Sequence, residues 1–129
     1  MAMDTSQISL NELTQRVIGA AHRVSNALGT GFLEKVYENA LTLELRRCGI
    51  HVEQQYPLKV FYEGEVVGEY AADLLVDDRL ILELKAAKAL DPVHSAQCIN
   101  YLRATGLKIC LLINFGKPQA EIKRLVLNL

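Results

Sequence analysis

Apolar residues at helical intervals open the chain: Leu10, Leu13, Val17, Ala20, Ala21, Val24 and Leu28 recur three and four positions apart, which places them on one stripe of a helix. Ser9-Leu10-Asn11-Glu12 has capping-box spacing, so the pattern predicts a first helix over about Leu10 to Leu28. Gly29-Thr30-Gly31 breaks it, and Leu33, Val36, Tyr37, Ala40, Leu41 and Leu45 mark a second helix ending near Gly49. The two are expected to pack as an angled pair. From His51 the period changes to two, through Val52, Gln54 and Tyr56 before Pro57 and Leu58, Val60 and Tyr62 after it, with a hairpin turn at Glu63-Gly64. Strands follow over Glu65 to Val76 and, beyond a turn at Asp77-Asp78, over Leu80 to Lys85. Asp91-Pro92 opens a helix that Gly106 stops near Thr105. Lys108 to Phe115 reads as a buried strand, and the residues after Pro118, with Ile122, Leu125 and Leu127, as a last strand in preference to a short helix. The order is helix, helix, three or four mostly antiparallel strands, a crossover helix and a returning strand. An α/β fold follows, with a mixed central β-sheet flanked by helices.

The length of 129 residues, half of them apolar, suits one core and is too short for two, so residues 1–129 are expected to form a single domain. No apolar run approaches the length of a membrane span, and the start, through Gln15, lacks the basic-then-apolar run of a secretory signal. A cytoplasmic protein is expected. Cys48, Cys98 and Cys110 are odd in number and widely spaced, which makes them reduced and mostly packing residues. With 14 Lys and Arg against 15 Asp and Glu, the net charge is −1. That excludes a protein that coats nucleic acid through bulk positive charge and leaves room for a local site.

The informative anomaly is a pair of carboxylates inside otherwise apolar strands, Asp73 in Tyr70 to Val76 and Glu83 in Leu80 to Lys85. Burying them costs several kcal/mol each unless they are paired or bound to a cation. Strand alternation puts Glu83 and Lys85 on one face with Ile81, and the short Asp77-Asp78 turn lays their strand beside Asp73. Two carboxylates and an amine then converge, a donor set suited to Mg²⁺ or Mn²⁺ with a lysine to orient or deprotonate water or to stabilise charge on a phosphate. Strand pattern alone leaves open an edge strand with Glu83 and Lys85 in solvent, or a structural ion pair.

Asp73 followed ten residues later by Glu83-Leu84-Lys85 resembles the D…(D/E)xK signature of the PD-(D/E)XK nuclease superfamily. Gly31-Phe32-Leu33-Glu34-Lys35-Val36-Tyr37 is similar to the motif of its GxxExxY family, and Gln97 to Tyr101 resembles the QxxxY element of its RecB-like branch. The likeness covers nearly the whole chain; one departure is Ala72 where the superfamily's name has Pro. The resemblance implies a restriction-endonuclease-like core and a metal-dependent nuclease. Asp73, Glu83 and the backbone carbonyl of Leu84 would hold Mg²⁺ or Mn²⁺, and Lys85 would position the attacking water and stabilise the developing charge. Glu34 would act as a further ligand or orienter, and Gln97 and Tyr101 would hold the substrate phosphate or the lysine. The implied partner is nucleic acid, DNA ahead of RNA, with no membrane and with a homodimer or higher oligomer as the working form.

Each residue also has a plainer role. Glu34 suits the first turn of a helix on electrostatic grounds alone; Tyr37 and Tyr101 suit a core whose hydroxyls reach the surface; Gln97 suits an exposed helix. His94 fits a helix start without being a ligand, and His22 and His51 have no carboxylate or cysteine at ligand spacing. Lys88, Arg103 and Lys108, extended by Arg46-Arg47 or Lys123-Arg124, read either as a phosphate path or as scattered solvated charges. The alternative function is a catalytically inactive nuclease-fold module that binds nucleic acid or a protein partner.

Overall fold

Helix α1 (Leu10–Leu28) begins where the Ser9 hydroxyl accepts from the Glu12 N–H at 3.1 Å. Glu12 completes only half of the capping box, because its carboxylate pairs with Arg16 one turn on, at 3.0 Å. Helix α2 (Glu34–Arg47) follows a loop that needs glycine at Gly31, whose φ is +106°. Tyr37 fastens that loop. Its hydroxyl donates to the Gly29 carbonyl at 2.6 Å and accepts from the Phe32 N–H at 3.4 Å, while its ring stacks on Phe115 at 4.7 Å.

The structure, a computed structural model, describes residues 8–127. The first seven positions, part of the stretch read above as lacking a secretory signal, lie outside the described residues. Among the described residues, no helix is long and apolar enough to cross a membrane. Strands β1 (Val52–Tyr62), β2 (Glu65–Val76) and β3 (Leu80–Lys85) form an antiparallel meander, helix α3 (Pro92–Thr105) crosses over, and β4 (Ile109–Asn114) returns parallel to β3. β5 (Glu121–Val126) closes the sheet antiparallel to β4, giving the order β1-β2-β3-β4-β5. The final segment is therefore the strand that the alternation favoured. Asp91 and Gly106 bound α3, the first accepting from the Val93 N–H and the second in the left-handed region at φ +76°.

The architecture is a mixed five-stranded sheet flanked by helices on both faces. On one face, α1 and α2 cover Val52, Leu74, Val76, Leu80, Leu82, Leu84, Leu111 and Ile113. On the other, α3 covers Leu58, Ala72, Leu75, Ile81, Cys110 and Leu112. Burying each large aliphatic side chain contributes roughly 1.5–3 kcal/mol, so both faces anchor the strands between them.

β1 runs unbroken through Pro57, which an edge strand tolerates. Its pairing with β2 shifts register between Val60 and Phe61, and a second irregularity lies earlier, at Gln55, whose φ is +52°. Gln54 pairs with Leu74 and Tyr56 with Ala72, so Gln55 and Asp73 stand opposite one another outside the ladder. Val52 and Leu74 pack under α1 and α2, whereas Leu58 and Ala72 pack under α3, so both strands exchange faces at this point.

Candidate active site

β2 and β3 pair from Val76 and Leu80 to Leu74 and Leu82 and no further. The next pair would be Asp73 with Glu83, and there the side chains replace the backbone ladder. The Asp73 N–H donates to Glu83 Oε1 at 2.9 Å, and the Leu84 N–H donates to Asp73 Oδ2 at 2.8 Å. Backbone N–H groups that leave a ladder inside a protein need new acceptors. Each carboxylate supplies one to the opposite strand, which sets the two acids side by side.

Such closeness is electrostatically unfavourable. Burial, and then the charge of Asp73, push the Glu83 carboxyl up to about 8. Asp73 is raised as well, chiefly by burial and against the pull of the Leu84 N–H. Glu83 is only 6% exposed, yet its second oxygen has no donor from the described residues and is open to solvent. Lys85 follows on the same face, and its ammonium draws both carboxyls back down.

The other predicted residues distribute around this pair. Leu84 buries its side chain under α1 and α2 while its backbone meets Asp73. Glu34 stands exposed in the first turn of α2, near enough for its charge to raise Glu83, and makes no hydrogen bond or ion pair among the described residues. Gln97 and Tyr101, one turn apart on α3, are joined by a 2.8 Å bond from the Gln97 amide to the phenol oxygen. Burial and the nearby charge of Glu83 push the Tyr101 hydroxyl up to about 12. Glu83, Lys85 and Gln97 share a recess of about 180 Å³ with His94. The His94 Nδ1 accepts from the Asp91 N–H at 3.1 Å and so completes the helix cap.

Three residues that sequence reasoning did not single out support the site. Glu38, on α2 and 4% exposed, accepts from Lys35 at 2.8 Å, from Gln54 at 2.7 Å and from Gln55 at 2.7 Å. The same Gln55 nitrogen donates to Asp73 Oδ1 at 3.2 Å, so one amide bridges two carboxylates. An acid on the buried stripe of α2, with Leu41 and Leu45, was the available signal for Glu38. Gln55 had none, since its left-handed backbone arises from strand geometry. Asn114, fully buried, accepts from the Ala87 N–H and donates to the Ala87 carbonyl, both at 2.9 Å. That clamp holds the chain just past Lys85 against β4. Gly116 is required beside it, because an added Cβ would lie 2.1 Å from the Ala87 carbonyl oxygen.

The reading of His51 as lacking a carboxylate at ligand spacing is corrected. Its ring lies 3.2 Å from Glu53, and Asp78 joins them so that the three ligand atoms lie within 4.8 Å of one another. His51 immediately precedes β1 and Glu53 lies on it two residues on, and the Asp77-Asp78 turn brings in the third, a spacing that helical metal motifs do not use. This trio is separate from Asp73 and Glu83. Two arginines of the phosphate path expected from the sequence are engaged elsewhere: Arg46 donates to the Val52 carbonyl and Arg124 to Asn11, each at 2.8 Å.

The sequence matches the family model described as the PD-(D/E)XK nuclease superfamily over residues 11–125. No curated protein matches it. Among solved structures, the crystal structure of an alkaline exonuclease from Laribacter hongkongensis is similar over 88% of this chain and 82% of that one, at 13% identity and a TM-score of 0.49.

Proposed function

Because this chain belongs to the PD-(D/E)XK nuclease superfamily, we propose that it is a metal-dependent nuclease. Asp73, Glu83 and the Leu84 carbonyl would hold Mg²⁺ or Mn²⁺, with Glu34 as a further ligand or orienter from α2. The observation that carries it is the exchange of backbone bonds between Asp73 and Glu83 where the β2–β3 ladder opens. Two like charges held together under partial burial weaken the fold by themselves, and a hard divalent cation relieves both the repulsion and the desolvation. The donor set fits such an ion, since Glu83 keeps an oxygen without a donor among the described residues. When bound, the cation supplies a lowered pKa for water and neutralises charge on a phosphate.

The chain's own residues do the rest. Lys85 brings a positive charge to the face of Glu83, where it orients the attacking water and stabilises negative charge growing on phosphorus-bound oxygens. Tyr101 stays protonated at every working pH and so remains a donor, with Gln97 fixing its hydroxyl. The Gln97 and Tyr101 pair holds a phosphate oxygen or the lysine. Glu38 and Gln55 position Asp73 from behind. The proposal extends to a single domain over 1–129 within the GxxExxY family, to DNA ahead of RNA as substrate, to a homodimer or higher oligomer and to the cytoplasm.

The test is cleavage of labelled single-stranded, duplex and branched DNA and RNA with Mg²⁺ or Mn²⁺, with EDTA as blank. Wild type should cut, and Asp73→Ala and Lys85→Ala should not. Equal activity or equal inertness in all three proteins overturns the reading and favours the inactive binding module.

A further inference from the structure

The β1–β2 hairpin runs on past its neighbour: β2 leaves β3 at Leu74 but stays paired with β1 as far as Tyr62 and Glu65. Between this projecting hairpin and α3 lies a cleft of about 490 Å³. Tyr70 from β2 and Tyr101 from α3 meet in it, with ring centres 6.0 Å apart at 54°. Tyr70 is 50% exposed, so much of its ring faces solvent. The edge of that ring runs past Gly68, 3.4 Å from where a Cβ would stand, an ordinary van der Waals distance. Asn100 and Arg103 line the α3 wall, and Phe61, 62% exposed, lines the hairpin wall. The cleft adjoins the candidate active site, since Gln97 borders both it and the recess of Glu83 and Lys85.

We propose that this cleft holds a single strand of nucleic acid on its way to the carboxylates, with a base stacked on Tyr70 and its phosphate against Arg103 and Asn100. The inference rests on the nuclease reading for the destination of the strand. An exposed aromatic ring next to a cation is the pairing by which proteins hold unpaired bases, whose faces are free; in a duplex those faces are already stacked. Arg103 is exposed and has no acidic partner among the described residues, so it is available to a phosphate. With a net charge of −1 the chain gains little from phosphates at large, which leaves aromatic contact as the main source of affinity.

The experiment has two arms. In EDTA, fluorescence anisotropy compares labelled oligo-dT with a duplex of equal length. Wild type should bind the single strand more tightly, Tyr70→Ala should weaken it about tenfold, and Tyr70→Phe should restore it. Phe61→Ala, on the same hairpin wall, supplies the same readout if Tyr70→Ala folds poorly. With Mn²⁺, hydrolysis of bis(p-nitrophenyl) phosphate, too small to reach across the cleft, should be unchanged in Tyr70→Ala. Tyr70-dependent binding in a protein that hydrolyses nothing supports the cleft and overturns the nuclease reading. Hydrolysis combined with binding indifferent to Tyr70 and Phe61, or with duplex bound as tightly, overturns the cleft and leaves the nuclease reading intact. A change in sedimenting mass on Tyr70→Ala with unaltered oligo-dT binding marks an interface between copies and also overturns it.

Discussion

On one face of the sheet, α1 and α2 close over Leu74, Val76, Leu80, Leu82 and Leu84 until none is more than 1% exposed; on the other, α3 alone covers Leu75, Ile81 and Leu112 and leaves Asp73 and Lys85 partly open. The same short strand serves both sides, sending Leu82 and Leu84 one way and Ile81, Glu83 and Lys85 the other. The closed face holds the backbone rigid. The half-covered face can then carry two charges that oppose folding, at the edge of the α3 layer where solvent reaches them and where the proposed substrate would. Stability and chemistry are thus divided by the alternation of one strand.

Removing the charge on the open face should have the largest effect. Glu83→Gln is expected to lower phosphodiester cleavage by on the order of 10³-fold, comparable to losing a major electrostatic element of an active site. Its thermal midpoint in EDTA should rise at pH values near 8, because the amide carries none of the penalty that raises the Glu83 carboxyl. A lowered midpoint there would show that the carboxylate stabilises the fold and would break the contrast between the faces.

On the closed face the expected signs reverse. Leu82→Ala should lose about 2–5 kcal/mol in urea unfolding, through lost burial and a residual cavity. Specific activity of the folded fraction should be retained to a far greater degree than in Glu83→Gln.

The pH dependence sharpens the comparison further. Glu83 titrates near 4.5 when unfolded and about 8 when folded, and Asp73 is raised in the same direction. Between those values the folded state binds more protons, so stability in EDTA should fall as pH rises, by up to roughly 1.4 kcal/mol per pH unit. At the proposed site Mg²⁺ or Mn²⁺ would take the place of the protons, so its stabilising effect should grow toward alkaline pH. Calorimetry with and without the ion measures both slopes, and a flat profile would remove the electrostatic argument for a cation.

The smallest change is expected at Tyr37. Tyr37→Phe keeps the ring stacked on Phe115 and loses the bond to the Gly29 carbonyl, at about 1 kcal/mol in urea unfolding. Cleavage should change less than stability does if the tyrosine serves the loop alone.

The legible parts of this protein were local. Helix α1 could be read from one stripe and one serine, the Glu63-Gly64 turn from its glycine, and α3 from Asp91, Pro92 and Gly106. Asp73, Glu83 and Lys85 stood out because charged residues interrupt apolar strands whose turn length sets them side by side. Glu34 is legible as a first-turn acid, whereas Glu38 is marked only by its place on the buried stripe of α2, and its bond to Gln55 comes from a strand far along the chain. His51 was misjudged for a similar reason, since Glu53 and Asp78 reach it through a strand and a turn.

The sequence by itself determined the elements, their order and the chemical types at the centre, because periodicity, caps and turn residues act over a few neighbouring positions. Only the tertiary structure decided where the β2–β3 ladder opens, that Gln55 twists to bridge Asp73 and Glu38, and that Tyr70 comes to lie against Tyr101 beside Arg103. Those arrangements depend on strand register, on the exchange of faces at Gln55 and on how α3 lies across the sheet. Each is settled by the packing of two apolar layers at once, and no short stretch of sequence carries that information.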